Sequence, residues 1–248
     1  MPFLSHVDEL RKRLFIIVIA LLIVSAAAYF FTDPIFKFLL HPVMGSIKGD
    51  VKFFDPLEAM TVKFMLALWT AVIVTSPLIT WQLMAFFLPA LKPRERKWLL
   101  PTFAAMVVLF AIGVVFCYRL ILPASFQWLI DQGGTVMSPV LRADSTVNVV
   151  EFFLLGFGIA FQTPIVVFYL VYFGVIKYRK LRESWRIIYV VIVILAAAIT
   201  PDFSPVSMVA LAAAMIVLYE VTMLLLRIVL ARRIKAQSDD GDIAIEAA

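Results

Sequence analysis

The sequence predicts an all-α integral membrane protein with six transmembrane helices, and three features carry that expectation. The chain is 63% apolar and only 16% charged over 248 residues, against about 45–50% and about 25% in soluble domains. That is more apolar surface than one water-soluble core can hide, and the mean hydropathy is +1.00. The apolar residues gather into six long runs, and basic residues collect on alternate connections between those runs. The same figures exclude a disordered or collagen-like chain.

The runs cover residues 14–31, 64–90, 98–118, 152–176, 187–200 and 206–226. About 20 apolar residues cross a hydrocarbon layer of about 30 Å. Only helices or closed barrels satisfy the backbone there, and these runs are too long for barrel strands. One transmembrane domain over residues 1–230 follows, with a polar, disordered tail at 231–248. The first run follows Arg11-Lys12-Arg13 and exceeds the roughly 7–15 residues of a secretory signal's apolar region. It therefore reads as a retained anchor.

Basic residues set the orientation. Arg11, Lys12 and Arg13 precede span 1; Lys92, Arg94, Arg96 and Lys97 join spans 2 and 3. Lys177, Arg179, Lys180, Arg182 and Arg186 join spans 4 and 5, and Arg227, Arg232, Arg233 and Lys235 follow span 6. The opposite side is poorer in them, so the positive-inside rule predicts a multi-pass protein with both termini cytoplasmic. The net charge of +5 belongs to that asymmetry, and nucleic acid is not an expected partner. On the outer side, residues 34–42 and 124–130 have the amphipathic pattern of helices lying on a bilayer surface.

Spans 5 and 6 are matched and short. The fifth has fourteen residues, about 21 Å at 1.5 Å per residue. Fourteen residues also separate the start of the sixth, at Val206, from Glu220. Such a pair would thin the bilayer locally or lean on neighbours, and a thinned patch lowers the barrier to moving something polar across.

Few ionisable groups lie within spans, where they are functional candidates by default. Glu220, with Arg227 two turns on, either snorkels at the edge of a short helix or serves a function. Gln162 precedes Pro164, whose ring frees a carbonyl one turn back; Gln162 either repairs that break or presents a polar point to a groove. Lys63 begins span 2 and snorkels outward. Asp202, in the Pro201–Pro205 turn, is placed to cap helix 6. His6 and His41 stand alone. Cys117, near the outer end of span 3, is the one cysteine. No internal disulfide, metal cluster or cofactor is expected.

Two carboxylates have an unusual setting. Glu9 lies in His6-Val7-Asp8-Glu9-Leu10-Arg11-Lys12-Arg13-Leu14 and Glu95 in Lys92-Pro93-Arg94-Glu95-Arg96-Lys97-Trp98. Each precedes a span on the cytoplasmic side amid positive charge. Local pairing, such as Glu9 with Arg13 at i+4, and ligand binding are both open.

Those residues resemble the N-terminal signature of the TatC family, the multi-spanning subunit of the twin-arginine protein translocase. Gln82-Leu83-Met84-Ala85-Phe86-Phe87-Leu88-Pro89-Ala90-Leu91, running into Arg94-Glu95-Arg96, is similar to that family's helix 2 and first cytoplasmic loop. Phe157-Gly158-Ile159-Ala160-Phe161-Gln162-Thr163-Pro164 resembles its helix 4, and Thr200-Pro201-Asp202 its last outer turn. The resemblance implies a curved, glove-like arrangement in a bacterial plasma (inner) membrane. It implies a receptor that binds twin-arginine signal peptides and associates with itself. With TatA- and TatB-type single-span subunits, such a receptor exports folded proteins on the proton-motive force. Glu9 and Glu95, with Arg11 and Arg94 beside them, would form the signal-peptide site. Phe86, Pro42, Pro164, Asp202 and Met208 would serve partner docking or structure, and helices 5 and 6 would form the docking wall. The family's helix 4 position is Glu or Gln, here Gln162. Family members often have Gln and Pro in helix 6 where this chain has Met208 and Ala214.

The chemistry suits a signal of two arginines. An arginine fork binds a carboxylate through two parallel bonds, which lysine cannot reproduce. One exposed pair is worth only about 0.2–1 kcal/mol, so selectivity needs two carboxylates. A small proton- or ion-coupled secondary transporter is the alternative, but residues 1–118 and 119–248 show no internal repeat of the kind such folds use. An intramembrane enzyme lacks a nucleophile, paired acids or a metal motif within any span.

Overall fold

The computed structural model describes residues 2–45, 51–87, 99–133, 140–200 and 204–229. The chain is almost wholly helical: α1 (Pro2–Tyr29), α2 (Thr32–Met44), α3 (Pro56–Phe87), α4 (Leu99–Phe116), α5 (Leu122–Asp131), α6 (Ala143–Ala160), α7 (Thr163–Tyr172), α8 (Tyr178–Glu183), α9 (Trp185–Ile199) and α10 (Pro205–Val229). Two short strands, β1 (Val51–Lys52) and β2 (Leu141–Arg142), pair in parallel with Val51 opposite Leu141.

Among the described residues, five stretches are long and apolar enough to cross a membrane, and α9 is a shorter apolar sixth. α4 does not stop at Tyr118. It runs through a π-helical turn, Cys117–Ile121, directly into α5, so residues 124–130 continue the third span rather than forming a separate surface helix. The π-helical turn accommodates Pro123: just before it the Leu122 N–H reaches back five residues to the Cys117 carbonyl, which shifts the pairing where a residue without an N–H follows. Cys117 in that turn is fully buried. The fourth span begins at Ala143, earlier than its apolar run, and breaks between Ala160 and Thr163. There Pro164 has no N–H to offer the Ala160 carbonyl, and the Thr163 hydroxyl donates to it instead, at 2.6 Å.

The core lies between α4, α6, α7 and α10, around Phe153, Phe157, Leu211, Met215, Tyr219 and Leu226. Close approach of α4 and α6 depends on absent side chains. A Cβ at Gly113 would stand 2.8 Å from the Phe157 carbonyl oxygen, and one at Gly158 2.6 Å from the Phe110 ring. α1 packs along α3, with Tyr29 stacked on Phe64 at 5.1 Å. One face of α1 stays uncovered: Leu14, Phe15, Ile19, Leu22 and Ile23 are exposed. In water such a face would aggregate; in lipid it costs nothing.

Chain direction gives the bundle two ends. The end away from the N-terminus is stitched by polar contacts. Buried Glu58 at the start of α3 accepts from the backbone N–H of Phe54 (2.8 Å) and of Asp144 (3.3 Å). Lys63 pairs with Asp33 of α2 at 3.0 Å. α2 buries Leu39, Leu40 and Val43, and the Tyr118 hydroxyl donates to the Phe38 carbonyl, so α2 is packed onto the bundle. At the α9–α10 connection the N-cap is Ser204, whose Oγ accepts from the Ser207 N–H at 3.2 Å; Asp202 lies outside the described residues.

Candidate functional site

The N-terminal end of the bundle holds Glu9, Arg11 and Arg13 of α1. Glu9 and Arg13 are one turn apart on α1 and therefore neighbours. Arg13 Nε and Nη2 both donate to Oε1 of Glu9, at 3.2 and 2.5 Å. Nη1 of the same guanidinium reaches Gln82 Oε1 of α3 at 3.4 Å. The side chains of Arg13 and Glu9 are 21% and 34% exposed, so the pair is sheltered between two helices yet open to a ligand. Phe86 follows Gln82 by one turn on α3 and is half-buried.

Of the other members of the predicted site, Arg11 does not join this cluster. Two residues of helix turn a side chain by about 200°, and Arg11 accordingly lies on the other face of α1. Its guanidinium sits 5.8 Å from the centre of the Phe15 ring. Arg94 and Glu95 lie outside the described residues, in the segment that joins α3 to α4.

Deeper in the bundle, Gln162 Nε2 donates to the Met106 carbonyl of α4 at 3.1 Å. Its Oε1 is buried, with no donor among the described residues. Gln162 thus joins α4 to the break between α6 and α7, while Thr163 carries out the helix repair. Pro164 sits in the first turn of α7, where its ring is harmless. Glu220 pairs away from Arg227: its carboxylate accepts from Arg182 at 3.1 Å and from the Tyr189 hydroxyl at 2.7 Å. It thereby ties α8 and α9 to α10. Pro42 lies in the last turn of α2, half-buried. Met208 and Ala214 pack against the core of α10's inner face.

One residue escaped the sequence reading. Glu151 on α6 is 1% exposed, and among the described residues neither carboxyl oxygen has a hydrogen-bond partner. It stands one residue before the fourth apolar run, outside the segment that hydropathy marks. Its neighbours Val147, Val150, Leu154 and Gly158, at the i−4, i−1, i+3 and i+7 positions, are all buried. That 3.6-residue pattern was the signal that places it inside.

Comparison with known proteins bears on the whole arrangement. The family described as Sec-independent protein translocase protein (TatC) matches residues 5–213. The chain belongs to the TatC family. The TatC of Carboxydothermus hydrogenoformans is 34% identical over 242 residues, spanning 98% of this chain and 97% of that one. The TatC of Aquifex aeolicus is 32% identical over 228 residues, 91% of this chain and 94% of its own. A crystal structure of a TatC described as a twin-arginine translocase receptor superposes with a TM-score of 0.76. It is 31% identical and covers 89% of this chain and 97% of that one. The six-span, glove-like TatC fold is therefore the fold of this chain, which is a membrane-embedded translocase protein and not an enzyme. The matched TatC region contains Glu9, Arg11, Arg13, Gln82, Glu151, Gln162 and Met208, and Glu220 lies beyond it.

Proposed function

We propose that this chain is the receptor subunit of a twin-arginine translocase in a bacterial plasma membrane, with both termini cytoplasmic. It binds the signal peptides of folded precursors and, with TatA- and TatB-type subunits and further copies of itself, exports those precursors on the proton-motive force. The observation that carries the recognition step is the Glu9 carboxylate. It stands half-sheltered between α1 and α3 and already accepts a guanidinium. α3 ends at Phe87, and the chain beyond it carries Arg94 and Glu95. Glu9 and Glu95 together would receive the two arginines, and the signal's apolar segment would lie along the apolar faces of the bundle. The exposed side of α9, with Ile187, Val190, Val191 and Ile194, suits a single-span partner helix better than a polar contact at Met208 does.

Photo-crosslinking tests the reading. Signal peptides with an Arg-Arg or a Lys-Lys pair are presented to inside-out vesicles containing this chain with its translocase partners, with the photoreactive group beside the pair. Strong crosslinking of the Arg-Arg peptide to residues near Glu9, weak crosslinking of Lys-Lys, and loss of the difference in a Glu9→Ala/Glu95→Ala chain are expected. An undiminished preference in that chain would overturn the assignment.

A further inference from the structure

We infer that Arg13 and Gln82 are positioning residues of the Glu9 site: they hold one oxygen of its carboxylate so that the other is presented to an arriving guanidinium. This inference rests on the proposal that Glu9 receives an arginine of the signal peptide. Its own observation is the division of labour between the two oxygens. Both donors of the Arg13 edge converge on Oε1 of Glu9, at 3.2 and 2.5 Å, and among the described residues nothing donates to Oε2. An ionised carboxylate offers about four acceptor positions over its two oxygens. A second guanidinium can therefore bind at Oε2 while Arg13 remains in place.

The contact to α3 makes this more than a common pairing along one helix. An isolated i,i+4 ion pair is weak and leaves both side chains mobile. Here the third nitrogen, Nη1, faces Gln82 Oε1 at 3.4 Å. The rigid fork spans from α1 to α3 and fixes the carboxylate against both. A fixed acceptor matters for choosing arginine over lysine. A guanidinium gains its advantage only from acceptors in a set plane, whereas an ammonium finds an acceptor in any orientation.

Removing Arg13 has two effects of opposite sign on affinity. Loss of a positive neighbour favours every cationic peptide, Arg-Arg and Lys-Lys alike. Loss of the clamp frees the carboxylate and penalises the fork alone. The ratio of the two affinities isolates the second effect.

The experiment measures binding of an Arg-Arg and a Lys-Lys signal peptide to the full chain, assembled with its translocase partners in nanodiscs. Wild type is compared with Arg13→Gln, Arg13→Lys, Gln82→Leu and Glu9→Gln, and unfolding temperatures verify that each variant is folded. Arg13→Gln is expected to narrow the Arg-Arg preference about fivefold, which is about 1 kcal/mol at 1.4 kcal/mol per tenfold. Arg13→Lys should retain part of the preference, since it restores a donor but not the two-nitrogen edge. Gln82→Leu should narrow it less than Arg13→Gln does. An unchanged preference in Arg13→Gln overturns the positioning role, and a widened one overturns it in favour of Arg13 as a competitor for Oε1. Glu9→Gln separates the two levels. If it abolishes the preference while Arg13→Gln does not, only the positioning role falls; if it too leaves the preference intact, the Glu9 site falls and this inference with it.

Discussion

The Tyr189 hydroxyl of α9 donates a 2.7 Å hydrogen bond to Glu220 Oε1 of α10, and Arg182 of α8 approaches the other oxygen at 3.1 Å. One carboxylate therefore gathers three consecutive helices at the N-terminal end of the bundle. Tyr219, next in sequence, adds a bond from its hydroxyl to the Leu181 carbonyl at 3.1 Å.

This arrangement makes Glu220 a structural clamp with graded sensitivity. Glu220→Gln keeps an acceptor for Tyr189 and loses only a partly exposed ion pair, 57% and 40% accessible, worth about 0.2–1 kcal/mol. Glu220→Leu strands the tyrosine hydroxyl and the arginine together. Thermal unfolding of the purified chain should show a small loss for Gln and a larger one for Leu. Tyr189→Phe should be close to Gln. Equal behaviour of Gln and Leu would show that the carboxylate binds nothing there.

Glu151 leads to the opposite sign. Its carboxyl is 1% exposed with both oxygens unpartnered among the described residues, and an unsatisfied buried polar group costs about 1–3 kcal/mol. Replacing it by an apolar residue of similar volume removes that cost. Glu151→Met should raise the unfolding temperature of the detergent-solubilised chain, and Glu151→Gln should do so less, since the amide also lacks partners. A lower unfolding temperature for Glu151→Met would mean that the carboxyl has a partner in the working protein.

The α4–α6 contact is sensitive to volume. At Gly113 the nearest obstacle is the Phe157 backbone oxygen, 2.8 Å from an added Cβ, with the Phe161 ring at 2.9 Å on the same side. Backbone cannot swing aside as a side-chain tip can, so α4 and α6 must separate. Gly113→Val is expected to cost at least about 1–3 kcal/mol by overpacking, read as a lowered unfolding temperature and reduced accumulation in the membrane. Phe110→Leu relieves the neighbouring Gly158 contact but not this one and should not rescue it. Rescue would show that the helices meet elsewhere.

The sequence was most legible where one physical demand dominated. Bilayer thickness imposes long apolar runs, and the spans stand out for that reason. Boundaries were harder. A π-helical turn lets α4 pass through Pro123 into α5, and hydropathy alone does not distinguish that continuation from a new surface helix. Pairing was legible only at short range. The Glu9–Arg13 contact follows from i+4 spacing, whereas Gln82 and Glu220 have partners 69 and 38 residues away. Glu151 was obscured by its position beside an apolar run rather than within it.

The length of α9 gives the most direct test of how the bundle meets the bilayer. α9 has 15 residues, about 22 Å at 1.5 Å per residue, against a hydrocarbon layer of about 30 Å. If that shortfall thins the membrane, four leucines inserted after Ile188 add about 6 Å and relieve it. The insertion point spares the packed part of the helix: Ile192 and Ala196 stay in the core, and Ile199 stays against Gly156. Tyr189 also stays beside Glu220. The displaced part is Trp185 to Ile188 with α8, so the Arg182–Glu220 ion pair and the Tyr219–Leu181 hydrogen bond are stretched as side effects. Arg182→Gln breaks that pair without changing any length and supplies the control. The inserted chain should fold, bind signal peptide as wild type does and export poorly, while Arg182→Gln exports normally. Poor export by both variants would assign the defect to the ion pair. Normal export by the inserted chain would mean that the short helix has no part in lowering the barrier.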